Sequence, residues 1–330
     1  MKLTKPTFNS STRIVGVVLA VTNVLSFSLG LSVAGRSLMQ RLERRPSVIA
    51  PIAAAASLSS VVFGRQAAPK NPLPIQGKGM WLYQFDKVAH GDPNRIVRLA
   101  RQRGLTHLYV RAGSSVAGLS GWKDIVRILP VAHRAGLKVI AWDFPYLHSP
   151  GRDVRRAGFV LKHTVHGQRV DGFAADVETR SEGTVLTRSR ARRYAVNLRR
   201  YVPNAFLVLV PPRPSAYIRS FYPYDVLVPQ FDAVAPMVYW GRQAPDQAAE
   251  QAMAFLKKFG KPVAPIGQAY DMGPWGGPKG PPKGRALLKF MNEARVEGAV
   301  GVSFWSWQHT PARLWHTIHT YGWPSPKGSL

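Results

Sequence analysis

Eight short apolar runs lie between Gly79 and Trp305, and longer amphipathic segments separate all but one pair of them. That alternation is the strongest constraint on the fold. Antiparallel neighbours need only a turn between them, whereas parallel neighbours need a crossover, usually a helix. The runs predict strands at Met80–Phe85, His107–Arg111, Val139–Phe144, Gly172–Val177, Phe206–Val210, Ala233–Tyr239, Val263–Gln268 and Val300–Trp305. Helices are expected near Pro93–Arg103, Gly121–Ala135, Arg152–Val165, Ser189–Tyr201, Pro245–Phe259, Gly284–Glu297 and Arg313–Tyr321, and only Pro211–Asp232 is irregular. Eight such units in about 250 residues predict an α/β fold, a (β/α)8 TIM barrel. No G-x-G-x-x-G follows the first strand, which argues against a doubly wound sheet.

Turn chemistry agrees. Gly104, Gly136, Gly260 and Gly298 each stand between a helical stretch and a strand, where a left-handed residue ends a helix. In the fourth helix, Ala191, Tyr194, Ala195 and Leu198 form one apolar face, and Arg190, Arg192, Arg193, Arg199 and Arg200 take much of the rest. A helix packed on a barrel with Arg in solvent accounts for this pattern, so no specific nucleic-acid partner is expected.

The excess of base is nonetheless large: 45 Lys and Arg against 17 Asp and Glu, a net charge of +28. The first 76 residues carry nine basic residues and one acid, which leaves the remainder at +20. A field of that sign favours polyanions, and contacts with an anionic wall polymer or lipid through the Arg-rich surface are one reading. An Arg-rich composition of solvated faces is the other. There is no Cys, which excludes disulfides, thiolate metal sites and a Cys nucleophile. No cofactor or metal site is expected: His163-x-x-His166 could share a helix face but lacks a third ligand in reach. No G-x-S-x-G elbow marks a serine hydrolase.

The amino-terminal region reads differently. Lys2, Lys5 and Arg13 precede Ile14–Ala34, a 21-residue stretch without charge, long enough to span a bilayer as a helix. Met39 opens a second stretch with the pattern of a signal peptide, basic residues followed by the apolar run Val48–Phe63. Whether anchor or cleaved signal, this part predicts an extracytoplasmic protein, membrane-anchored or secreted. The expected organisation is a basic segment at 1–47 with the apolar span 14–34, a second apolar run and Pro/Ala linker at 48–76, and the barrel at 77–330.

Chemistry concentrates at Val170-Asp171-Gly172-Phe173-Ala174-Ala175-Asp176-Val177-Glu178. Side chains alternate across a strand, so Ala174, Asp176 and Glu178 share one face. Two acids at the C-terminal end of a barrel strand are poor packing and good acid/base equipment; a salt-bridged strand end is the bland alternative. Asp86, Asp143 and Asp271 also fall at C-terminal strand ends, whereas Asp171 and Asp232 fall at the opposite ends and read as stabilising. Aromatic residues gather on the same rim, among them Tyr83, Trp142, Tyr239, Trp275, Trp305 and Trp307, and flat rings with a polar tip suit the C–H faces of sugars. Gln268 ends the seventh strand. Arg111 ends the second, where it suits a carboxylate or phosphate, or an ion pair with Asp143 or Glu178.

The stretch resembles the fourth-strand signature of family 18 glycoside hydrolases, Asp-Gly-x-Asp-x-Asp-x-Glu, through Asp171, Gly172, Asp176 and Glu178; Ala174 replaces the middle Asp. Met237-Val238-Tyr239 resembles that family's sixth-strand Met-x-Tyr, with Trp240 in place of a polar residue. Phe304-Trp305-Ser306-Trp307 resembles its eighth-strand end. The family's Ser-x-Gly-Gly stretch on the third strand is absent, and Trp142-Asp143-Phe144-Pro145 stands there. The resemblance implies an exported glycosidase of a wall or extracellular polysaccharide, N-acetylated in the family's case. Glu178 would be the proton donor, Asp176 would orient the 2-acetamido group, and Tyr239 would contact the acetamido carbonyl. Asp143 is the expected nucleophile should two carboxylates do the work. The alternatives are a glycan-binding barrel without catalysis, which Ala174 and Trp240 favour, and a basic barrel that binds anionic polymer or a membrane surface.

Overall fold

The computed structural model describes residues 72–324; the apolar span, the signal-like stretch and most of the linker lie outside them. No helix among the described residues is long and apolar enough to cross a membrane.

All strand neighbours are parallel. The strands are β1 (Gly77–Leu82), β2 (His107–Ser114), β3 (Lys138–Phe144), β4 (Gly172–Asp176), β5 (Leu207–Val210), β6 (Ala233–Val234), β7 (Met237–Val238), β8 (Ile266–Gln268) and β9 (Gly301–Trp305). The sheet runs β6-β5-β4-β3-β2-β1-β9-β8-β7. Its two ends, β6 and β7, are pieces of one stave split at Ala235-Pro236, which closes the sheet on itself. Ala235 N–H donates to Leu209 O on one side and Ile266 N–H to Pro236 O on the other. Pro236 has no amide hydrogen to give, so the ladder breaks there. The eight predicted strands are therefore all present, with this one divided.

Helices α1 (Pro93–Gln102), α2 (Trp122–Arg134), α3 (Pro150–Lys162) and α4 (Arg188–Tyr201) follow the first four strands. Two short helices, α5 (Ala216–Arg219) and α6 (Tyr224–Leu227), occupy the irregular connection, and α7 (Pro245–Lys257), α8 (Gly284–Val296) and α9 (Ala312–Thr320) complete the outer layer. Gly104, Gly136, Gly260 and Gly298 all have left-handed φ, between 65° and 79°. Helix α3 stops before His166, which sits at φ 49° in a turn closed by Val165 and Gln168. The two histidines therefore do not share a helix face.

Alternation sorts the core into two. Outward residues such as Leu108, Val139, Phe173 and Leu209 pack against the helices. Inward residues Trp81, Tyr109, Ile140, Trp142, Ala174, Val208, Val210, Ala233 and Ala235 fill the barrel. Trp81 stacks on Tyr109 with ring centres 4.1 Å apart and donates from Nε1 to Ser303 Oγ at 2.9 Å. These large rings come from β1–β3, and the small alanines from β4 and β6 face them, so the interior is packed, as barrels of this size require.

The Arg-rich face of α4 is more structural than its sequence implies. Arg199 reaches the carbonyls of Gln230, Pro203 and Ala205 and pairs with Asp232 at 2.7 Å, and Arg190 holds the carbonyls of Leu147 and His148. Arg192, Arg193 and Arg200 remain in solvent, and the exposed Arg188 pairs with Asp225 at 2.6 Å.

Candidate active site

The mouth at the C-terminal strand ends is floored by rings. Trp305, on β9, lies 5.8 Å from Trp81, 5.6 Å from Tyr83 and 5.6 Å from Trp142 between ring centres. The peptide between Trp305 and Ser306 is cis. On the wall next to β9, after β7 and β8, Tyr239 meets Tyr270 at 5.4 Å, and Tyr270 meets Trp275 at 5.7 Å, so aromatic surface runs from the interior out onto the loop after β8.

Between these walls stand the two acids of β4. Asp176 is 8% exposed and Glu178 7%, and neither is in an ion pair among the described residues. One oxygen of Asp176 is buried without a hydrogen-bond partner. Their backbone is held from behind: Tyr222, in the irregular connection, donates its hydroxyl to Val177 O at 2.7 Å. Burial pushes the Asp176 carboxyl up to about 8, helped by the charges of Asp143 and Glu182 and opposed by Arg111. Burial also drives Glu178 well above the usual carboxylate range, with Asp176 and Glu182 adding to it. The Tyr239 hydroxyl is raised by burial and then by Tyr270, Asp176 and Glu178, which puts that tyrosine in the field of both acids. Chemically, the row offers a carboxyl that keeps its proton near neutrality, a second acid beside it and a phenol facing both.

Ala174 is fully buried below this pair, in the layer filled by Trp81, Tyr109 and Trp142. Its β3 register partner is Trp142, so a side chain the size of Asp would compete with that ring. Trp240 points the other way and packs near Phe290 of α8, with ring centres 5.5 Å apart.

Several residues expected at the mouth are elsewhere. Asp143 follows Trp142, and since Trp142 faces the interior, Asp143 faces the helices. There Arg156 of α3 holds it at 2.7 Å while also pairing with Asp153 at 2.9 Å. Burial raises Asp143 to about 6 even against that cation. It acts on the mouth through its field and does not face the β4 acids across it. Trp307 is likewise behind the wall, 4.9 Å from Trp315 of α9 and under the Arg103 guanidinium. Asp271 is spent on its own loop, accepting from Gly273 N–H and Gly280 N–H, both at 2.7 Å. Gln268 is 2% exposed and takes Gly241 N–H at 3.1 Å, which ties the loops after β7 and β8 together. Arg111 makes no ion pair with Asp143 or Glu178 and lies over the rings of Tyr83, at 5.0 Å, and Trp142, at 5.7 Å.

One residue at the mouth escapes sequence reasoning. Glu182, half-buried in the loop after β4, is raised by burial to about 7 and lifts both Asp176 and Glu178. Its only signal is position, an acid four residues beyond Glu178 in a region poor in acids.

No protein-family model matches the sequence, and no curated protein matches it. The fold does have solved neighbours, and they are glycoside-hydrolase TIM barrels. Active domain 2 of a thermostable chitinase from Pyrococcus furiosus, solved with chito-oligosaccharides, aligns with TM-score 0.56 and 14% identity over 76% of this chain and 94% of that one. A chitinase from Chromobacterium violaceum gives 0.55 and 11% over 74% and 98%. An endo-1,4-beta-mannanase from Rhizomucor miehei gives 0.56 and 11% over 73% and 88%. At such identities the likeness is one of fold.

Proposed function

We propose that the barrel is a glycoside hydrolase with Glu178 as its proton donor. The observation that carries this is the pair Asp176 and Glu178: buried, in no ion pair among the described residues, side by side between two aromatic walls. A structural acid at that depth would be paired, as Asp143 is. Glu178 protonates the glycosidic oxygen as the bond to the anomeric carbon breaks. Asp143 is held among the helices, which favours the substrate's own 2-acetamido carbonyl as the nucleophile. Asp176 accepts from the acetamido N–H, the Tyr239 hydroxyl donates to the carbonyl, and Glu178, now a carboxylate, takes a proton from the water that completes hydrolysis. The substrate class is then an N-acetylated polysaccharide. The chitinase and mannanase neighbours support a polysaccharide in general.

The test is a matched pair of oligosaccharides, N-acetylated and N-deacetylated, scored by release of reducing ends. Cleavage of the acetylated chain alone is expected; equal cleavage of both would return a two-carboxylate mechanism, and binding without turnover would favour a glycan-binding barrel, the reading to which Ala174 lends weight. We also propose that the chain is exported, on the strength of Ile14–Ala34 and its flanking basic residues. Loss of the protein on protease treatment of intact cells supports export, and full protection refutes it.

A further inference from the structure

We infer that the glycan accepted at this mouth carries a carboxylate and that Arg111 receives it. The inference rests on the glycosidase reading and adds the charge of the substrate. Of the other arginines packed on the barrel, Arg156 serves two acids, Arg199 three carbonyls and an acid, and Arg190 two carbonyls, while Arg103, with one buried Nη unpartnered, lies behind the wall over Trp307 and Trp315. Arg111 is different. It lies on the inward row of β2 just before a shift of register at Gly113, makes no ion pair among the described residues, and its Nε is buried without a partner. The faces of Tyr83 and Trp142 hold the guanidinium from below, which fixes its plane while leaving its N–H groups free. A planar, oriented fork without a partner suits a carboxylate, which it meets with two parallel hydrogen bonds.

Charge at the mouth agrees. Asp176, Glu178 and Glu182 are all raised by burial, so near neutral pH they offset the charge of Arg111 less than ordinary carboxylates would. Beside Arg111 a cleft of about 300 Å³ opens between the loops after β1 and β2, lined also by Tyr83, by Lys87 and Lys123, and by the acids Asp86 and Asp124. It is large enough for one sugar ring, and its cations outnumber its acids by one.

A C6 uronate and an ether-linked lactyl acid both present such a group on a sugar ring, and the experiment separates them. Four probes are used: a short oligosaccharide alternating 2-acetamido sugar and uronic acid, a peptide-free lactyl-bearing glycan, and the carboxyl-reduced form of each. Affinities are read by calorimetry on full-length Glu178→Gln, with and without Arg111→Gln, so that binding is scored whether or not the wild type cleaves anything. One acidic probe is expected to bind about 10- to 100-fold tighter than its reduced form, as for a charge-assisted hydrogen-bonded pair. That ratio should fall towards one in Arg111→Gln and shrink with added salt. A ratio near one with Arg111 present, a ratio undiminished by Arg111→Gln, or no binding of any probe overturns the inference. A wild type that binds with the expected ratio yet cleaves nothing refutes the glycosidase reading alone.

Discussion

The two ends of β4 carry the same kind of side chain in opposite circumstances. At the N-terminal end Asp171 accepts from His133, at 2.8 Å, from Lys138, at 3.0 Å, and from the backbone N–H of Val139, at 2.8 Å. Burial alone would raise it, but these donors outweigh burial and hold it below the usual carboxylate range. Asp232 repeats the arrangement two strands on, with Arg199 and the Leu207 N–H both at 2.7 Å. At the C-terminal end Asp176 and Glu178 are in no ion pair among the described residues, and burial raises both even though the Arg111 charge opposes it at Asp176. One end uses acids to pin strands together, and the other keeps them uncompensated. An uncompensated buried acid costs stability and persists only where something else is gained, which makes the contrast an argument for function.

The largest effect expected from that contrast is on turnover. Glu178→Gln keeps shape and hydrogen bonding but has no proton to release, so hydrolysis should fall by about two to four orders of magnitude. Glycan affinity should persist, because the aromatic walls are untouched. Initial rates with calorimetric binding check both halves, and full activity in the variant would remove the enzyme assignment of β4.

Next in size is the buried group that does have a cation. Arg156 is 9% exposed and holds both Asp143 and Asp153. Arg156→Gln would strand two buried carboxylates, and breaking a buried pair in this way costs roughly 3–5 kcal/mol. Urea unfolding measures it; a loss comparable to that of a surface substitution would show that the mouth's field does not depend on this triad.

These two cases mark what the sequence makes legible. The eight units are readable because period and turn chemistry agree over the whole barrel. Asp176 is readable because alternation puts it on the inward face with Ala174, and Glu178, two residues past the end of β4, keeps to that side in the field of Tyr239 and Tyr270. The same rule places Asp143 correctly only once Trp142 is known to face inward, and a shift of one residue exchanges the faces. Trp307 lies just past the end of β9, where alternation no longer applies. Asp271 closes its loop through backbone N–H groups that no pattern of side chains announces. Glu182 belongs to an irregular loop, and Tyr222 reaches Val177 from 45 residues away.

An effect opposite in sign at the two ends is expected in stability against pH. Asp176 rises from 3.8 to about 8 on folding, so the native state binds its proton more tightly than the unfolded chain does. Its contribution is whole below pH 3.8 and is lost as pH rises through about 8. Asp176→Asn cannot ionise, so it should melt higher than wild type in alkali and level with it in acid. Asp171 is lowered on folding, so its contribution is present at neutral pH and is lost as pH falls. Asp171→Asn should therefore melt lower than wild type at neutral pH and converge with it in acid. Melting curves of both variants across pH check the signs, and two profiles of the same sign would mean the ends of β4 are not different after all.

The smallest expected effect separates the pinned acid from its least buried partner. Lys138 is 52% exposed at the side chain, while His133 is 23% exposed and Asp171 13%. An ion pair with one partner in solvent is screened and holds a long side chain in place at an entropic cost, and such pairs contribute about 0–1 kcal/mol. Asp171 also keeps two other donors when Lys138 is gone, so its charge stays compensated. Lys138→Gln should therefore destabilise by less than about 1 kcal/mol. The small difference from wild type should vanish in molar salt, where the screening length is about 3 Å. Asp171→Asn, by contrast, removes the charge and one of the two oxygens that serve these three donors, and its cost should survive the salt. Equal losses in the two variants would mean that the ammonium alone pins this end of β4, and that the buried hydrogen bonds to His133 and Val139 contribute nothing.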